Sequence, residues 1–243
     1  MKTDSIEMPT LRPIARIRSP FPDKFGVPRQ SGLVPDLRGT IVFEPEFRIP
    51  EAIRGLEGFS HIWLLWGFTA NIGQGWHPTV RPPRLGGNRR LGVFATRSPF
   101  RPNPIGLSCV TLLHVIPTGE EGPILEVGGA DLVDNTPIYD IKPYLPYADC
   151  IPTAAGGFAP DAPAETLSVD CAPELLHRIP KADRKAFLAV LACDPRPAYR
   201  RTEEGAENPP RSHGIKWKNR NIRFRVENNT LTILDIDPLP NNE

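Results

Sequence analysis

The chain has 243 residues, of which 40% are hydrophobic and 23% are charged, and its formal net charge is +1. This length accommodates one large domain, or one domain with a smaller second one. It also allows a hydrophobic core that is stable without disulfides or bound metals. Proline is unusually frequent, at 30 of 243 residues, against a usual share of about 5%. Because each proline fixes φ and removes a backbone donor, long helices over most of the chain are excluded. Short strands joined by rigid loops remain, which predicts a mainly β or α+β fold.

The sequence gives no indication of export or membrane insertion. Its longest mostly apolar stretch, residues 62–70, is far shorter than the ~20 residues of a transmembrane helix. The first 20 residues are charged and have no apolar h-region, so we expect no signal peptide. The four cysteines include no C-x-x-C pair, which disfavours a zinc ribbon or a secreted disulfide framework. We therefore predict a cytoplasmic protein with reduced cysteines.

In chain order, the first 150 residues predict a series of short strands. Seven segments are rich in β-branched or aromatic residues and are bounded by Gly, Pro or Asn. They are residues 11–18, 39–43, 60–68, 91–96, 105–116, 123–133 and 138–141. One short helix is predicted at residues 50–56, because proline suits a first helical turn. The Pro/Gly-rich stretches 19–35 and 73–88 predict long loops, which in a compact domain are usually functional.

A change of composition follows. Residues 153–164 (TAAGGFAPDAPA) are small and rich in Pro and Gly, as in a linker. Beyond them, residues 181–193 predict an amphipathic helix, and residues 222–236 predict a hairpin that turns at Asn228-Asn229. We therefore predict two domains, the first over residues 10–152 and a smaller α+β domain over residues 165–243.

The charges are segregated along the chain. Residues 76–101 contain six arginines and no acid, and residues 196–225 contain nine basic and three acidic residues. Between them, residues 117–170 hold ten acids and one lysine. Arginine makes up 22 of the 29 basic residues, and its planar guanidinium suits phosphates and stacked bases. Two basic segments favour a nucleic-acid partner, and solvated charged faces are the alternative.

Four segments contain polar residues and glycines beyond what a fold requires. The proline-braced loop at residues 28–30 presents donors to an anionic or carboxamide-like ligand, or is a rigid surface turn. A strand leads to Arg97 and a proline-rich turn. Residues 128–131 combine a carboxylate with glycines, which let a backbone approach a ligand closely. Asp140 and Lys142 share a strand face, and we expect them to form a structural pair.

Together these segments resemble the TsaA-like family of tRNA methyltransferases, also called YaeB or TrmO. The resemblance is dense over residues 10–150, and DPRPAYR at residues 194–200 is similar to the C-terminal domain of bacterial members. The motifs that carry it are KFGVPRQ at 24–30, VRPPRLGG at 80–87, GVFATRSPFRPN at 92–103 and DNTPIYDIKPYLP at 134–146.

The resemblance implies a single-sheet, β-barrel-like TsaA domain rather than a Rossmann sheet, and the chain contains no G-x-G-x-x-G motif. It implies a homodimer that uses S-adenosyl-L-methionine. The implied methyl acceptor is N6 of threonylcarbamoyladenosine, next to the anticodon of certain tRNAs. By position, the implied cofactor contacts are Pro28, Arg29, Gln30, Arg97, Leu107, Gly128, Gly129, Ala130 and Asp131.

This chain departs from the family pattern at two places. After the strand that ends at Phe68, the family typically has a histidine at a further cofactor contact. Here the pair is Thr69-Ala70, so we expect a contact through the backbone. Asn135 replaces the usual glycine of a D-G-T-P string, a mild change because Asn tolerates positive φ better than most residues.

Methyl transfer from a sulfonium is an in-line displacement, so alignment supplies most of the catalysis. The attacking nitrogen must also lose a proton, which a nearby base or a path to water assists. We assign Asp134 or Tyr139 to the substrate side and Asp131 to the cofactor.

The basic segments supply candidates for phosphate contacts in the anticodon region of a tRNA. These are Arg81, Arg84, Arg89, Arg90, Arg196, Arg200, Arg211, Lys216 and Lys218. For Trp217 and Phe224 we expect core packing, and stacking on a base is the alternative. The five histidines are scattered and have no metal-ligand spacing, so we predict no metal.

Two other functions remain open at this stage. A non-catalytic nucleic-acid-binding β-barrel, or a regulator, explains the basic segments equally well. It does not explain residues 28–30 and 128–131, because binding to a phosphate backbone needs no small-ligand pocket. A hydrolase that uses Asp131, Asp134 and Asp140 is disfavoured, because no metal-ligand set accompanies these carboxylates.

Overall fold

The structure is a computed structural model that describes residues 10–86, 88–162, 167–196 and 211–240. Its strands are β1 (Ala15–Arg18), β2 (Arg38–Phe43), β3 (His61–Gly67), β4 (Thr79–Val80), β5 (Leu91–Gly92), β6 (Ile105–Ile116), β7 (Ile124–Gly128), β8 (Thr136–Pro143), β9 (Ser168–Asp170), β10 (His213–Trp217), β11 (Arg220–Glu227) and β12 (Thr230–Pro238). Its α-helices are α1 (Pro146–Asp149), α2 (Pro173–Leu176) and α3 (Arg184–Ala192). Helices are short throughout these ranges, as the proline content predicts.

Six strands close into an antiparallel barrel in the order β1-β2-β7-β6-β3-β8. Side chains alternate between the two faces of a strand, and in β3 the inward residues Ile62, Leu64 and Trp66 are buried. They join Ile17 and Ile138 in one apolar cluster inside the barrel. The predicted mainly β fold with a single-sheet barrel is therefore confirmed.

A second sheet has the order β10-β11-β12-β9, with β9 parallel to β12. Helix α3 packs on it, and Phe187, Trp217 and Phe224 form the centre of its core. Trp217 is 2% exposed and Phe224 is 1% exposed. Neither ring is available to stack on a base, so core packing is the correct interpretation of both.

The Pro/Gly-rich segment between β1 and β2 packs against this second sheet. Phe21 is fully buried and meets the Trp217 ring edge to face, with ring centroids 5.5 Å apart. The Lys218 amide donates to the Pro20 carbonyl at 2.6 Å, and Lys216 pairs with Asp23 at 3.4 Å. The second sheet therefore holds the loop that carries the predicted cofactor contacts at residues 28–30.

The strands predicted at 39–43, 60–68 and 105–116 are observed as β2, β3 and β6 with small changes at their ends. The strand predicted at 123–133 ends earlier, at Gly128, because Gly129 takes a positive φ of 73° that breaks the ladder. The strand predicted at 91–96 is only β5, followed by a single 3-10 turn.

The helix predicted at 50–56 is a 3-10 turn over Pro50–Ile53. The helix predicted at 181–193 is observed as α3. The hairpin is confirmed as β11 and β12, and both turn residues, Asn228 and Asn229, have the positive φ that a tight hairpin turn requires. The predictions missed β4, which lies in the stretch predicted as a loop, and also β9, β10, α1 and α2. Arg200 and most of the DPRPAYR motif lie outside the described residues.

No helix in the described ranges is long and apolar enough to cross a membrane. The four cysteines are free thiols. In the same part of the chain, no three or more His, Cys, Asp or Glu side chains are grouped as metal ligands would be.

We predict that Trp217→Ala lowers the free energy of unfolding by about 3–5 kcal/mol, as is typical for removing a buried large aromatic side chain. Trp217→Phe should cost less, because it keeps part of the ring contacts and removes the indole N–H, which has no hydrogen-bond partner in the part of the chain described. Denaturant unfolding provides the measurement. The matched control is Trp76→Ala, at a half-exposed tryptophan, which should change stability by less than about 0.5 kcal/mol. Equal losses for the two alanine variants would refute the assignment of Trp217 to the core.

Candidate active site

A chain of hydrogen bonds begins at one end of the barrel wall. Trp66 on β3 faces Gly106 on β6, and a Cβ atom at Gly106 would lie 2.3 Å from the indole. Glycine is therefore required there for the indole to occupy its position. The indole Nε1 donates to Ser108 Oγ at 3.0 Å, and the Ser108 hydroxyl donates to Asp131 Oδ1 at 2.6 Å. The barrel core thus fixes the position of a single carboxylate.

Asp131 follows the turn that Gly129 makes at the end of β7, and the residue is partly buried. Burial raises the pKa of this carboxyl, because a charge is poorly solvated there. The Ser108 hydrogen bond, backbone amides and the positive charge of Arg97 oppose the rise without cancelling it. Among the described ion pairs, none includes Asp131. A bound cation would stabilise its ionised form.

The predicted cofactor loop reaches the same carboxylate. Gly32 N donates to the Gly129 carbonyl at 2.8 Å, and Gly129 N donates to the Leu37 carbonyl at 2.8 Å. The backbone of Ser31 acts on the Asp131 carboxylate and lowers its pKa. These contacts bring the segment that follows Gln30 against the turn at residues 128–131.

Arg97 comes from a third loop and joins this group. Its Nη1 donates to Gln30 Oε1, and its charge acts on Asp131. Gln30 Nε2 also donates to the Arg29 carbonyl at 2.5 Å, and Pro28 is buried. Three segments separated in sequence therefore meet at one place, as the resemblance implied.

The other implied cofactor positions lie at the same end of β3 and β6. Leu107 precedes Ser108 and is 52% exposed, on the outer face of the barrel. Thr69 and Ala70 begin an exposed 3-10 turn just after β3. The Ala70 carbonyl accepts a hydrogen bond from the Gln74 side chain at 3.1 Å. A backbone contact of Thr69-Ala70 with the cofactor remains a prediction.

The two candidates for the substrate side are in different surroundings. Tyr139 lies at a bulge of β8 opposite Leu65 and Trp66. Its hydroxyl is so close to Gly67 that a Cβ there would lie 2.5 Å from it. Tyr139 therefore covers Gly67 at the end of β3, one residue beyond Trp66.

Asp134 is exposed on the turn before β8. Its Oδ1 accepts the Ser19 amide at 2.9 Å, and it lines an outer-wall groove of about 380 Å³ with Arg16 and Arg18. Asn135 beside it has a φ of 61°, as expected for the replacement of a glycine. Asp134 thus holds the loop at Ser19 in place and lies on the outer wall of the barrel.

Other polar candidates have structural partners. Lys142 pairs with Asp140 at 2.8 Å, which confirms the expected pair. Arg196 was a candidate for a phosphate contact, but it is 9% exposed and pairs with Asp194 at 2.8 Å, so that assignment is wrong. Lys218 pairs with Asp183 at 2.6 Å. By contrast, Arg81, Arg84, Arg89, Arg90 and Arg211 are exposed.

Sequence reasoning missed the Trp66–Ser108 part of the site. Neither residue belongs to the motifs that carry the resemblance, and nothing in a single sequence indicates that Ser108 and Asp131 meet. The pairing of Trp66 with Gly106 across two strands was the only available signal, and it depends on the strand register.

The fold and these contacts define a β-barrel protein in which three loops meet around a partly buried carboxylate at one end of the barrel. Two family models match the chain. They are the tRNA-methyltransferase O N-terminal domain over residues 16–150 and the TrmO C-terminal domain over residues 164–239. The chain belongs to this family, which confirms the resemblance.

Similar proteins cover nearly the whole chain. A tRNA (adenine(37)-N6)-methyltransferase of Escherichia coli K12 is 44% identical over 93% of this chain and 96% of its own length. A putative S-adenosylmethionine-dependent methyltransferase, RcsF of Pseudomonas aeruginosa, is 41% identical over 93% of this chain and 97% of its own. The crystal structure of TrmO from Pseudomonas aeruginosa superposes with a TM-score of 0.74 at 34% identity, and covers 96% of this chain and 99% of that one.

We predict a pH-dependent stability difference between Asp131→Asn and the wild type. The asparagine oxygen can still accept the Ser108 hydroxyl. A carboxyl whose pKa is raised in the folded state destabilises the fold when the pH is high enough to ionise it. Asp131→Asn should therefore gain stability relative to the wild type as the pH rises from about 4, near the ordinary pKa of Asp, towards 8. Denaturant unfolding at several pH values measures this difference. A constant difference, or one of the opposite slope, would contradict the partly buried state of Asp131.

Proposed function

We propose that this chain transfers a methyl group from S-adenosyl-L-methionine to N6 of threonylcarbamoyladenosine at position 37 of tRNA, beside the anticodon. The chain is an S-adenosylmethionine-dependent tRNA methyltransferase of the family to which both halves belong. The observation that supports the site is the meeting of Gln30, Arg97 and Asp131 from three separate loops. Neither a hydrolase nor a non-catalytic barrel that only binds nucleic acid requires this arrangement.

The residues present fit such a cofactor. S-adenosylmethionine carries positive charge on its sulfonium and its amino group, and the partly buried carboxylate of Asp131 has its pKa raised by burial. A cation beside it would offset the desolvation of the charge. Asp131, Gln30 and Arg97 would hold the cofactor together with Arg29, Leu107 and the backbone around residues 128–130. When bound, the cofactor supplies a methyl group activated by a positively charged sulfur.

On the substrate side, we assign the principal contact to Tyr139 and keep Asp134 as the alternative. The Tyr139 hydroxyl both donates and accepts hydrogen bonds, so it can orient the attacking nitrogen and pass its proton towards water. In support of this assignment, the Tyr139 hydroxyl lies against Gly67, the residue that follows Trp66 on β3. Asp134 instead uses one carboxylate oxygen to hold the Ser19 amide.

The proposal includes a homodimer, two domains and a cytoplasmic location. Leu107 is 52% exposed and Tyr147 is 87% exposed, so the barrel has apolar surface that a second copy would cover. Residues 10–152 contain the methyl-transfer site. Residues 165–243 support the loop between β1 and β2 and contact tRNA. A tRNA substrate and four free cysteines are consistent with the reducing cytoplasm.

The direct test is methyl incorporation from labelled S-adenosylmethionine into two tRNA pools, one with threonylcarbamoyladenosine and one without it. We expect label only in the modified pool. Label in both pools would contradict the proposed acceptor but keep the enzyme. No label in either pool, with tRNA still bound, would favour the non-catalytic nucleic-acid-binding barrel.

We predict that Tyr139→Phe lowers turnover by about 100-fold or more, the usual scale for a group that assists proton transfer, and leaves cofactor affinity unchanged. Asp134→Asn keeps an oxygen that can accept the Ser19 amide, so the loop stays in place and turnover should change only a few-fold. Single-turnover kinetics and cofactor binding provide the measurement. A large loss in Asp134→Asn alone would transfer the role to Asp134, and unchanged turnover in both variants would exclude both assignments.

A further inference from the structure

Because Trp217 and Phe224 are buried in the core, neither can stack on a base of the proposed RNA substrate. Two other aromatic rings are exposed in the arginine-rich loop between β3 and β6. Trp76 is 51% exposed and Phe94 is 76% exposed. A large aromatic ring that stays exposed contributes little hydrophobic stabilisation to the fold. Two such rings beside a charged loop therefore suggest a binding role.

The strand register places both rings at the same end of a small ribbon. Thr79 on β4 pairs with Gly92 on β5, and the Val93 amide donates to the Pro78 carbonyl at 3.0 Å. Trp76 comes three residues before Thr79, and Phe94 comes two residues after Gly92. Both therefore lie at the base of the ribbon, on the side that leads to Arg97 and so to the candidate cofactor site.

The arginines of the same ribbon lie at its other end. Residues 81–90 connect β4 to β5 and contain Arg81, Arg84, Arg89 and Arg90. From Trp76 to Arg81, the first of these arginines, the chain spans at most about 18 Å, even if fully extended. The ribbon thus presents rings at its base and guanidinium groups at its tip.

These arginines keep their charge uncompensated, unlike those of the barrel wall. On the wall, Arg16 pairs with Glu44 at 2.7 Å and Arg18 pairs with Glu121. Within the described residues, no ion pair includes an arginine of the ribbon. Their recorded partners are neutral: Arg90 donates to the Thr79 hydroxyl at 3.1 Å and Arg84 to the Asp161 carbonyl at 2.5 Å. A ligand that brings negative charge would complement this surface.

We propose that Trp76 and Phe94 form a stacking platform for an unpaired base of the tRNA anticodon loop, while the arginines of the ribbon tip bind the adjoining phosphates. Single-stranded RNA is recognised by stacking of splayed bases on aromatic rings, together with cationic contacts to its backbone. Phe94 comes three residues before Arg97 in the chain, so the platform would bring the anticodon loop towards the methyl donor. This inference rests on the proposed tRNA substrate.

The test uses the full-length protein and a tRNA that carries threonylcarbamoyladenosine. Trp76→Ala and Phe94→Ala should each weaken tRNA binding roughly 5- to 150-fold, which corresponds to the loss of one base stack. Cofactor affinity should be unchanged. Trp76→Phe and Phe94→Tyr should restore most of the affinity, because they keep a ring. Ile72→Ala is the matched control, an exposed apolar residue of the same loop with no ring.

Salt dependence separates the two kinds of contact. Arg89→Gln should lower the slope of log affinity against log salt by about 0.7–0.9, as expected for one lost phosphate contact, whereas Trp76→Ala should leave the slope unchanged. If both alanine variants bind tRNA normally, the platform is wrong. If Trp76→Ala instead converts a dimer to a monomer in sedimentation, the rings belong to a contact between copies and the inference is also wrong.

The outcomes distinguish this inference from the proposed function. If the wild type methylates tRNA and the alanine variants bind it normally, the function holds and the platform fails. If the wild type binds tRNA without methylating it and the alanine variants lose that binding, the platform holds and the methyl-transfer proposal fails.

Discussion

Even partial burial makes a carboxylate costly to keep ionised, and the residues around Asp131 are organised by this constraint. Burial raises the pKa of Asp131, while the Ser108 hydroxyl, backbone amides and the charge of Arg97 counteract that rise. Ser108 is itself held by the Trp66 indole, which requires a glycine at position 106. Because the carboxylate has a fixed position and an incompletely stabilised charge, a cationic ligand such as S-adenosylmethionine gains more from it than from an exposed acid.

The second sheet takes part in this arrangement through the loop between β1 and β2. Phe21, Val34 and Leu37 belong to the core of the second sheet, although they come from the first part of the chain. The same loop carries Gln30, which accepts a hydrogen bond from Arg97. Packing of the second sheet therefore lowers the conformational freedom of the loop before ligand binds, which favours affinity by reducing the entropy lost on binding. The arginine-rich ribbon, in contrast, is tied down by few described contacts and offers its charges to solvent.

The sequence predicted the barrel strands well where burial alternates along a strand, as in β3 and β6. It failed where backbone conformation decides the outcome: the strand predicted through residue 133 ends at Gly128 because Gly129 takes a positive φ. It missed β9, which has three residues and pairs with the distant strand β12, and β10, which forms a local hairpin with β11. The motif resemblance indicated Gln30, Arg97 and Asp131, but the Trp66–Ser108–Asp131 chain depends on register between strands far apart in sequence. Trp217 had the same aromatic and basic surroundings as a base-stacking residue, and only the packing of Phe21 and Phe187 against it identifies it as core.

The central claim is that the Asp131 carboxylate holds the positive charge of the methyl donor. The most direct measurement is the dissociation constant of S-adenosylmethionine between pH 4 and 8, for the wild type and for Asp131→Asn, with the fold checked at each pH by circular dichroism. If the carboxylate has this role, wild-type affinity should fall as the pH drops below the raised pKa of Asp131. Asp131→Asn should bind more weakly at pH 8 and should have lost this pH dependence. Equal affinity and an identical pH profile in the two proteins would contradict the claim.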